Sequence, residues 1–441
     1  MRYLFNLAYG LAALTAAPWL AYAAWRHGKY REGWREKLLG LVARPKPGGP
    51  CVWLHAVSVG EVNLLAPLLT LFRARHPDWR VVISTTTLAG RRLAEQRYGE
   101  QATIIYCPLD FSWAVAAAMR RIRPRLLVLA ELELWPNLIA AARRSGAKVV
   151  VVNGRLSERS FRGYRRIRGL LRRTLASVDL FAVQNQAYAE RFIQLGAPAE
   201  RVRVSGSVKF DGAITDRRNP QSVTLARLWN VEGTAPVFVA GSTQHPEEQL
   251  VLDAYRHLRG EFPTLRLILV PRHPERFDAV ARMLEASGLA WSRRSQLPNV
   301  PRPDAPILLV DTVGELRGWW GLADVAFVGG SLGDRGGQNM IEPAAFGAAV
   351  CFGPNTRNFR DIVQLLLERE AAEVVADGAA LTRFVERALR DPVYRDLLGS
   401  RAAHLVRQQQ GATQRTVDWI DGVLAADRGA GELPRGRPRA A

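Results

Sequence analysis

Cysteine is scarce in this chain. Cys51, Cys107 and Cys351 are the only three among 441 residues, far apart and without a CxxC pair. That spacing argues against a disulfide framework and against a cysteine-based zinc site, and it fits a reducing compartment. None of the seven histidines stands in an HExxH or similar ligand spacing, so no metal and no cofactor is expected. Lysine is sparse too, occurring only at positions 29, 37, 46, 148 and 209. The formal charge of +20 is therefore almost all arginine, which base composition of a genome can enrich. Such a charge speaks only weakly for nucleic acid, but it does imply attraction to phosphates, acidic lipids or nucleotides. With 48% hydrophobic and 23% charged residues, the chain is not disordered in bulk. Its length suggests two or three domains.

Charge is also missing from residues 3–25, a run of 23 positions. A helix of that length spans roughly 30 Å, the thickness of the bilayer hydrocarbon. Arg26, Lys29, Arg31, Arg35 and Lys37 follow, which places that side in the cytoplasm. Residues 1–45 are read as a single N-terminal anchor, spanning or lying in the interface, with a basic juxtamembrane stretch. A cleavable signal peptide and a buried helix of a globular domain are the competing readings.

Beyond a Pro/Gly linker at 45–50, short apolar runs alternate with helical stretches. The runs are 52–56, 81–84, 103–106, 126–130, 148–152, 180–183 and 202–204, then 237–240, 265–270, 289–291, 307–310, 325–328, 349–352 and 373–375. Continuous rather than alternating hydrophobicity marks parallel strands buried on both faces. Strand–helix alternation marks βαβ units. The fold expected is α/β, with two tandem doubly wound Rossmann-like domains at 50–210 and 233–378. Closing helices follow at 379–425 and a disordered tail at 429–441. Ligands bind at the strand C-termini of such sheets, so a cleft between the domains is the default site.

The loops after the strands carry the chemistry. His55, Ser58, Gly60 and Glu61 follow the first run, and Glu61 is either a general base or a helix-start acid. Ser84 to Thr87 follow the second and read as an N-cap. Glu131, Glu133, Trp135, Pro136 and Asn137 follow the fourth. Two carboxylates there are costly to bury unless paired, so they position a substrate or meet an arginine. Residues 153–173 hold eight arginines, Arg155 among them, with Phe161 and Tyr164 interleaved. That segment is a solvated helix face or a surface for an anionic glycolipid, a membrane headgroup or nucleic acid. In the second half, Gly241 and Ser242, then Arg272 and His273, are suitable phosphate partners. Gly329, Gly330, Gly336 and Gly337 allow close backbone approach. Asn339 and Glu342 share a helix-start face suited to ribose hydroxyls.

Taken in order, HAVSVGE, ELELWPN, NGRLSERSFRGY, GSVKFD, GSTQHPEE, LVPRHPERF and GGQNMIEPA resemble the bacterial 3-deoxy-D-manno-octulosonic acid (Kdo) transferases. The likeness covers about residues 1–425. It implies a two-domain GT-B glycosyltransferase at the cytoplasmic face of the inner membrane, moving Kdo from CMP-Kdo to the lipid A precursor. The family's base falls on Glu61 and its acidic motif on Glu131 and Glu133, with Glu131 a second candidate catalytic acid. Ser58, Gly60, Glu133 and Arg155 lie on the acceptor side. The nucleotide-contacting segments fall on Ser242, Arg272, His273, Asn339 and Glu342, with Gly241, Gly330, Gly337 and Lys209 beside them. Gln338 and Asn355 depart from the pattern, which has histidines there. The expected partners are CMP-Kdo, the lipid A precursor and inner-membrane lipid, without nucleic acid. A transferase using a UDP-sugar and a membrane-tethered nucleic-acid-binding protein are the alternatives.

Overall fold

Every apolar run expected to be a strand overlaps one, the run 289–291 only at Trp291. In the computed structural model, which describes residues 2–27, 32–231, 235–297 and 305–431, the first half forms β1 (Cys51–His55), β2 (Arg80–Thr85), β3 (Thr103–Tyr106), β4 (Leu126–Ala130), β5 (Lys148–Gly154), β6 (Leu180–Val183) and β7 (Val202–Val204). The second half forms β8 (Val237–Thr243), β9 (Arg266–Pro271), β10 (Trp291–Arg293), β11 (Ile307–Leu309), β12 (Val325–Val328), β13 (Ala349–Phe352) and β14 (Glu373–Val374). The chain divides into two compact units, Met1–Asp211 with Gln410–Ala441, and Gly212–Gln409. The closing helices therefore part company: Gly378–Arg390 and Pro392–Gln409 belong to the second unit, and Ala412–Gly431 to the first.

Each unit is built on one seven-stranded sheet whose pairings are parallel throughout. The first has the order β3-β2-β1-β4-β5-β6-β7, and the second β10-β11-β9-β8-β12-β13-β14. Val52, Leu54, Val128 and Val152 lie on one face of the first sheet and Trp53, Leu127, Leu129 and Val151 on the other, all buried. Each fully buried Val or Leu contributes about 1.5–3 kcal/mol. Strand order reverses direction between β1 and β4, and again between β8 and β12. Leu54 pairs with Ile83 on one side and Val128 on the other, and Ala240 pairs likewise with Leu269 and Phe327. At such a switch point the loops leaving neighbouring strands diverge and open a crevice.

Helices cover both faces of the first sheet. The helix Val59–Arg75 and the last helix, Ala412–Gly431, share a cluster in which Leu68, Leu69 and Phe72 join Val417, Ile420 and Leu424. Asp211 caps that last helix. Its carboxylate accepts the backbone N–H groups of Gly411 (2.6 Å), Ala412 (3.3 Å) and Thr413 (2.5 Å).

The N-terminal segment corrects one expectation. Residues Arg2–His27 do form a helix. Yet among the described residues no helix is long and apolar enough to cross a membrane, so a spanning anchor is not found. Alanine, Gly10 and Asn6 dilute its hydrophobicity, and one flank is committed to protein. Asn6 Nδ2 donates to Ser112 Oγ at 2.8 Å, and Asn6 Oδ1 accepts from Ser112 N at 3.0 Å and Asn137 Nδ2 at 3.3 Å. Tyr3, Leu7, Leu11, Leu14 and Tyr22 are exposed. At the other end, the helix runs to Gly431, so residues 429–431 of the expected tail are helical. The rest of that tail, and Lys29 and Arg31, lie outside the described residues.

Candidate active site

In the first unit the candidate residues gather at the switch point. Glu61 follows β1 and Glu131 and Glu133 follow β4. Ser58 is the N-cap of Val59–Arg75, its Oγ accepting the Glu61 N–H at 3.3 Å. The Glu61 carboxylate folds back over this turn, Oε1 accepting from Ser58 Oγ (3.0 Å) and Oε2 from Val57 N (2.8 Å). The helix-start reading holds, and the same side chain is a buried carboxylate near two others. Burial pushes its pKa up to about 7. The Val57 N–H opposes that rise, and Glu133 and Glu131 add to it. A carboxylate half-ionised near neutrality is matched to general-base work.

Glu131 has φ of 52°, a left-handed conformation that is rare for such a residue, and so does Asn153 at the end of the adjacent β5. Asn153 is fully buried. Its Nδ2 reaches Glu131 Oε1 at 3.5 Å, and its Oδ1 accepts the Val208 N–H at 3.1 Å. Beside Val208 stands Lys209, whose Nζ is 3.8 Å from Glu131 Oε1. Arg155 Nη1 is 3.8 Å from Glu131 Oε2. Lys209 was expected with the nucleotide; the structure places it in the first unit, beside Glu131. The question left open for the paired acids thus has an answer for Glu131, which faces two cations.

Glu133 is arranged differently. Its Oε2 accepts from Trp135 Nε1 at 2.7 Å and lies 3.9 Å from His55 Nε2. Burial raises the Glu133 pKa, Trp135 opposes the rise, and Glu131 adds to it. His55 is fully buried, with Nδ1 2.9 Å from Ser84 Oγ, and burial lowers its pKa to about 4. It is neutral at pH 7. Pro136 and Asn137 open the next helix, whose first amides, of Asn137 and Leu138, are held by Asp110 at 2.9 and 2.8 Å. Thr87 caps its helix as read, accepting the Gly90 N–H. Gly60 makes no close contact that a side chain would disturb.

In the second unit the candidates line the strand C-termini of the other sheet. Gly241 lies within β8, where a Cβ would come within 2.3 Å of Trp320, so its glycine serves packing. Ser242 has φ of 56°. Arg272 and His273 follow β9 and are exposed. Arg272 also ties β9 to β8, its N–H donating to the Thr243 carbonyl at 2.9 Å. Asn339 and Glu342 stand where Ile341–Ala345 begins. Glu342 Oε1 is 3.6 Å from Arg317 Nη2, and burial raises its pKa against the pull of Arg317. The Gly330 N–H donates to Glu247 Oε2 and the Gly337 N–H to the Gly330 carbonyl, both at 2.7 Å. Both amides are therefore taken up within the protein.

Sequence reasoning missed Asn153, Glu247 and the pairing of His55 with Glu133. Their roles come from contacts between separate elements, and the one available signal was a buried polar side chain adjoining a motif.

Residues 32–212 match the family model described as 3-deoxy-D-manno-octulosonic-acid transferase (kdotransferase). A 3-deoxy-D-manno-octulosonic acid transferase from Haemophilus influenzae is 34% identical over 399 residues, covering 90% of this chain and 92% of the relative. One from Bordetella pertussis is 34% identical over 431 residues, covering 94% and 99%. Among solved structures, a glycosyltransferase from Rickettsia africae superposes with a TM-score of 0.54 at 11% identity, covering 85% of this chain and 98% of that one, which speaks for the fold. Relatives this similar over nearly their whole length place the chain in the 3-deoxy-D-manno-octulosonic acid transferase family.

Proposed function

We propose that this protein transfers Kdo from CMP-Kdo to a sugar hydroxyl of the lipid A precursor in lipopolysaccharide synthesis, with Glu61 as the base. One observation carries the residue assignment: a buried carboxylate with a pKa of about 7 at the switch point of the first sheet, facing two further acids. The acceptor hydroxyl gives its proton to Glu61. Its oxygen bonds to the anomeric carbon of Kdo as the bond from that carbon to the CMP phosphate breaks, and CMP leaves with the electron pair. The developing oxocarbenium character suits an acidic surround, and Glu131, held by Lys209 and Arg155, supplies a fixed negative charge. Arg272, with Ser242, meets the phosphate of the leaving CMP. Asn339 and Glu342 take the ribose hydroxyls. The displacement is direct and inverting and calls for no metal.

The N-terminal helix supports a place at the membrane surface. Tyr3, Leu7, Leu11, Leu14 and Tyr22 recur at spacings that align along one helical stripe and are exposed. Such a helix lies in the interface with its apolar face toward the acyl chains, at the cytoplasmic face of the inner membrane. Arg159, Arg162 and Arg166 line one groove around the helix Glu158–Arg165, a surface for an anionic glycolipid headgroup. The test is incubation of the protein with CMP-Kdo and lipid A precursor, with the mass of the product measured. A mass gain of one or more Kdo residues is expected. No gain with CMP-Kdo, and transfer from a UDP-sugar instead, would overturn the reading.

A further inference from the structure

The helix Glu247–Leu258 follows β8 and opens on two successive glutamates, each 1% exposed. Their carboxylates go to different strands. Glu247 reaches the loop after β12, where Oε1 accepts the N–H groups of Ser331 and Leu332, both at 2.9 Å. Its Oε2 accepts those of Gly330 at 2.7 Å and of Gln244, in its own loop, at 2.9 Å. Glu248 reaches the loop after β9, where its Oε2 lies 3.3 Å from Arg276 Nη2. Because β8 stands between β9 and β12, one helical turn grips the loops on both sides of it. The neighbouring sequence makes room for this. A Cβ on Gly329 would come within 2.8 Å of Glu247 Oε2 and 2.6 Å of Thr243 Cα.

A carboxylate filling a cluster of backbone amides does what a bound anion would do in a glycine-rich loop. Here the anion belongs to the protein. Ser242 at the end of β8 and Arg272 in the loop after β9, two of the groups assigned above to the donor, stand beside these loops. We infer that Glu247 and Glu248 are positioning residues for the nucleotide-sugar, locking the loops after β8, β9 and β12 into one preformed cradle while touching no ligand themselves. This inference rests on the donor reading of the second unit.

The experiment uses the full chain. Glu247→Gln turns one acceptor oxygen into an NH2 group facing two N–H donors, which pushes the 330–332 segment away. CMP binding by titration calorimetry is expected to weaken ~tenfold or more, the usual scale for unsatisfied buried groups. The KM for CMP-Kdo rises in step, kcat changes far less, and the KM for the lipid acceptor does not move. Glu247→Asp, which keeps the charge, recovers part of the binding. Glu248→Leu, which frees Arg276, weakens CMP binding as well. Loss of stability with donor KM unchanged would mean a purely structural role and would overturn the inference. If Glu247→Gln fails to fold, Glu248→Leu decides by the same two KM values. If the wild-type protein itself binds no CMP, the donor reading falls. If wild type and a folded Glu247→Gln bind CMP equally, only the positioning role falls.

Discussion

Replacing Glu61 by glutamine should make the protein both nearly inactive and more stable at alkaline pH. The carboxyl pKa rises from the ordinary 4.5 to about 7 on folding, chiefly through burial. At about 1.4 kcal/mol per tenfold change in proton affinity, ionised Glu61 costs the folded state about 3 kcal/mol relative to its neutral form. The folded state binds the proton more tightly than the unfolded one between these two values. Wild-type stability therefore falls as pH rises from about 4.5 to about 7 and is level above that. Glutamine carries no charge and escapes the penalty. It accepts one hydrogen bond fewer from Val57 N or Ser58 Oγ, a loss of about 1 kcal/mol at any pH. The net gain at pH 8 is about 2 kcal/mol, and at pH 5 it vanishes or turns slightly negative. In thermal melts of the full-length protein, the transition of the first unit should shift up by several degrees at pH 8 and not at pH 5. Kdo transfer should fall ~10²–10⁴-fold, the usual contribution of general-base catalysis. In the wild type, kcat/KM should lose activity below about pH 7, where the base is protonated. A variant that transfers at close to the wild-type rate, or a stability difference equal at both pH values, would refute this account of Glu61.

Other changes test other parts of the structure. Glu133→Gln removes a neighbouring acid that raises the Glu61 pKa, so the acid limb of the kcat/KM profile should move to lower pH, read from pH–rate measurements. Arg272→Ala, at an exposed position, should raise the KM for CMP-Kdo ~10–100-fold, the scale of a hydrogen bond to a charged group, while the melting temperature stays put. Asp211→Ala uncovers three amides at the start of the last helix and should cost about 1–2 kcal/mol of stability in denaturant titrations.

The strands were readable because burial on both faces leaves no polar residue inside β4 or β13 and only the terminal His55 in β1, and the runs stand out between charged helices. Even the two-residue β14 fell under such a run. Strand order was not readable, and with it the two switch points, because pairing depends on which crossovers turn back. The N-terminal helix was legible as a helix, while its missing charges left spanning and interfacial readings open, and among the described residues no helix is long and apolar enough to cross a membrane. Asn6 is uncharged, yet it is committed to Ser112 and Asn137 rather than to lipid. At the site, Glu61 showed itself through the capping pattern Ser58–Glu61 directly after a strand. The place of Lys209 beside Glu131 was not legible, since it comes through its neighbour Val208 being tied to Asn153, a contact across 55 positions. The glycines of 329–337 resembled a ligand cradle because a cradle is what they form, but its amides at 330–332 hold Glu247.

The return of Ala412–Gly431 to the first unit has a consequence for biosynthesis. The ribosome emits residues 1–211, then about two hundred residues of another unit, and only then the helix whose Val417, Ile420 and Leu424 close the core over the Glu61 helix. Until residues 412–431 are made, that apolar flank has no native cover, and Asp211 has no helix to cap. A chain cut before residue 412 lacks the apolar cover of the Glu61 helix in its own first unit. The final helix acts as a completion seal on a unit begun some four hundred residues before.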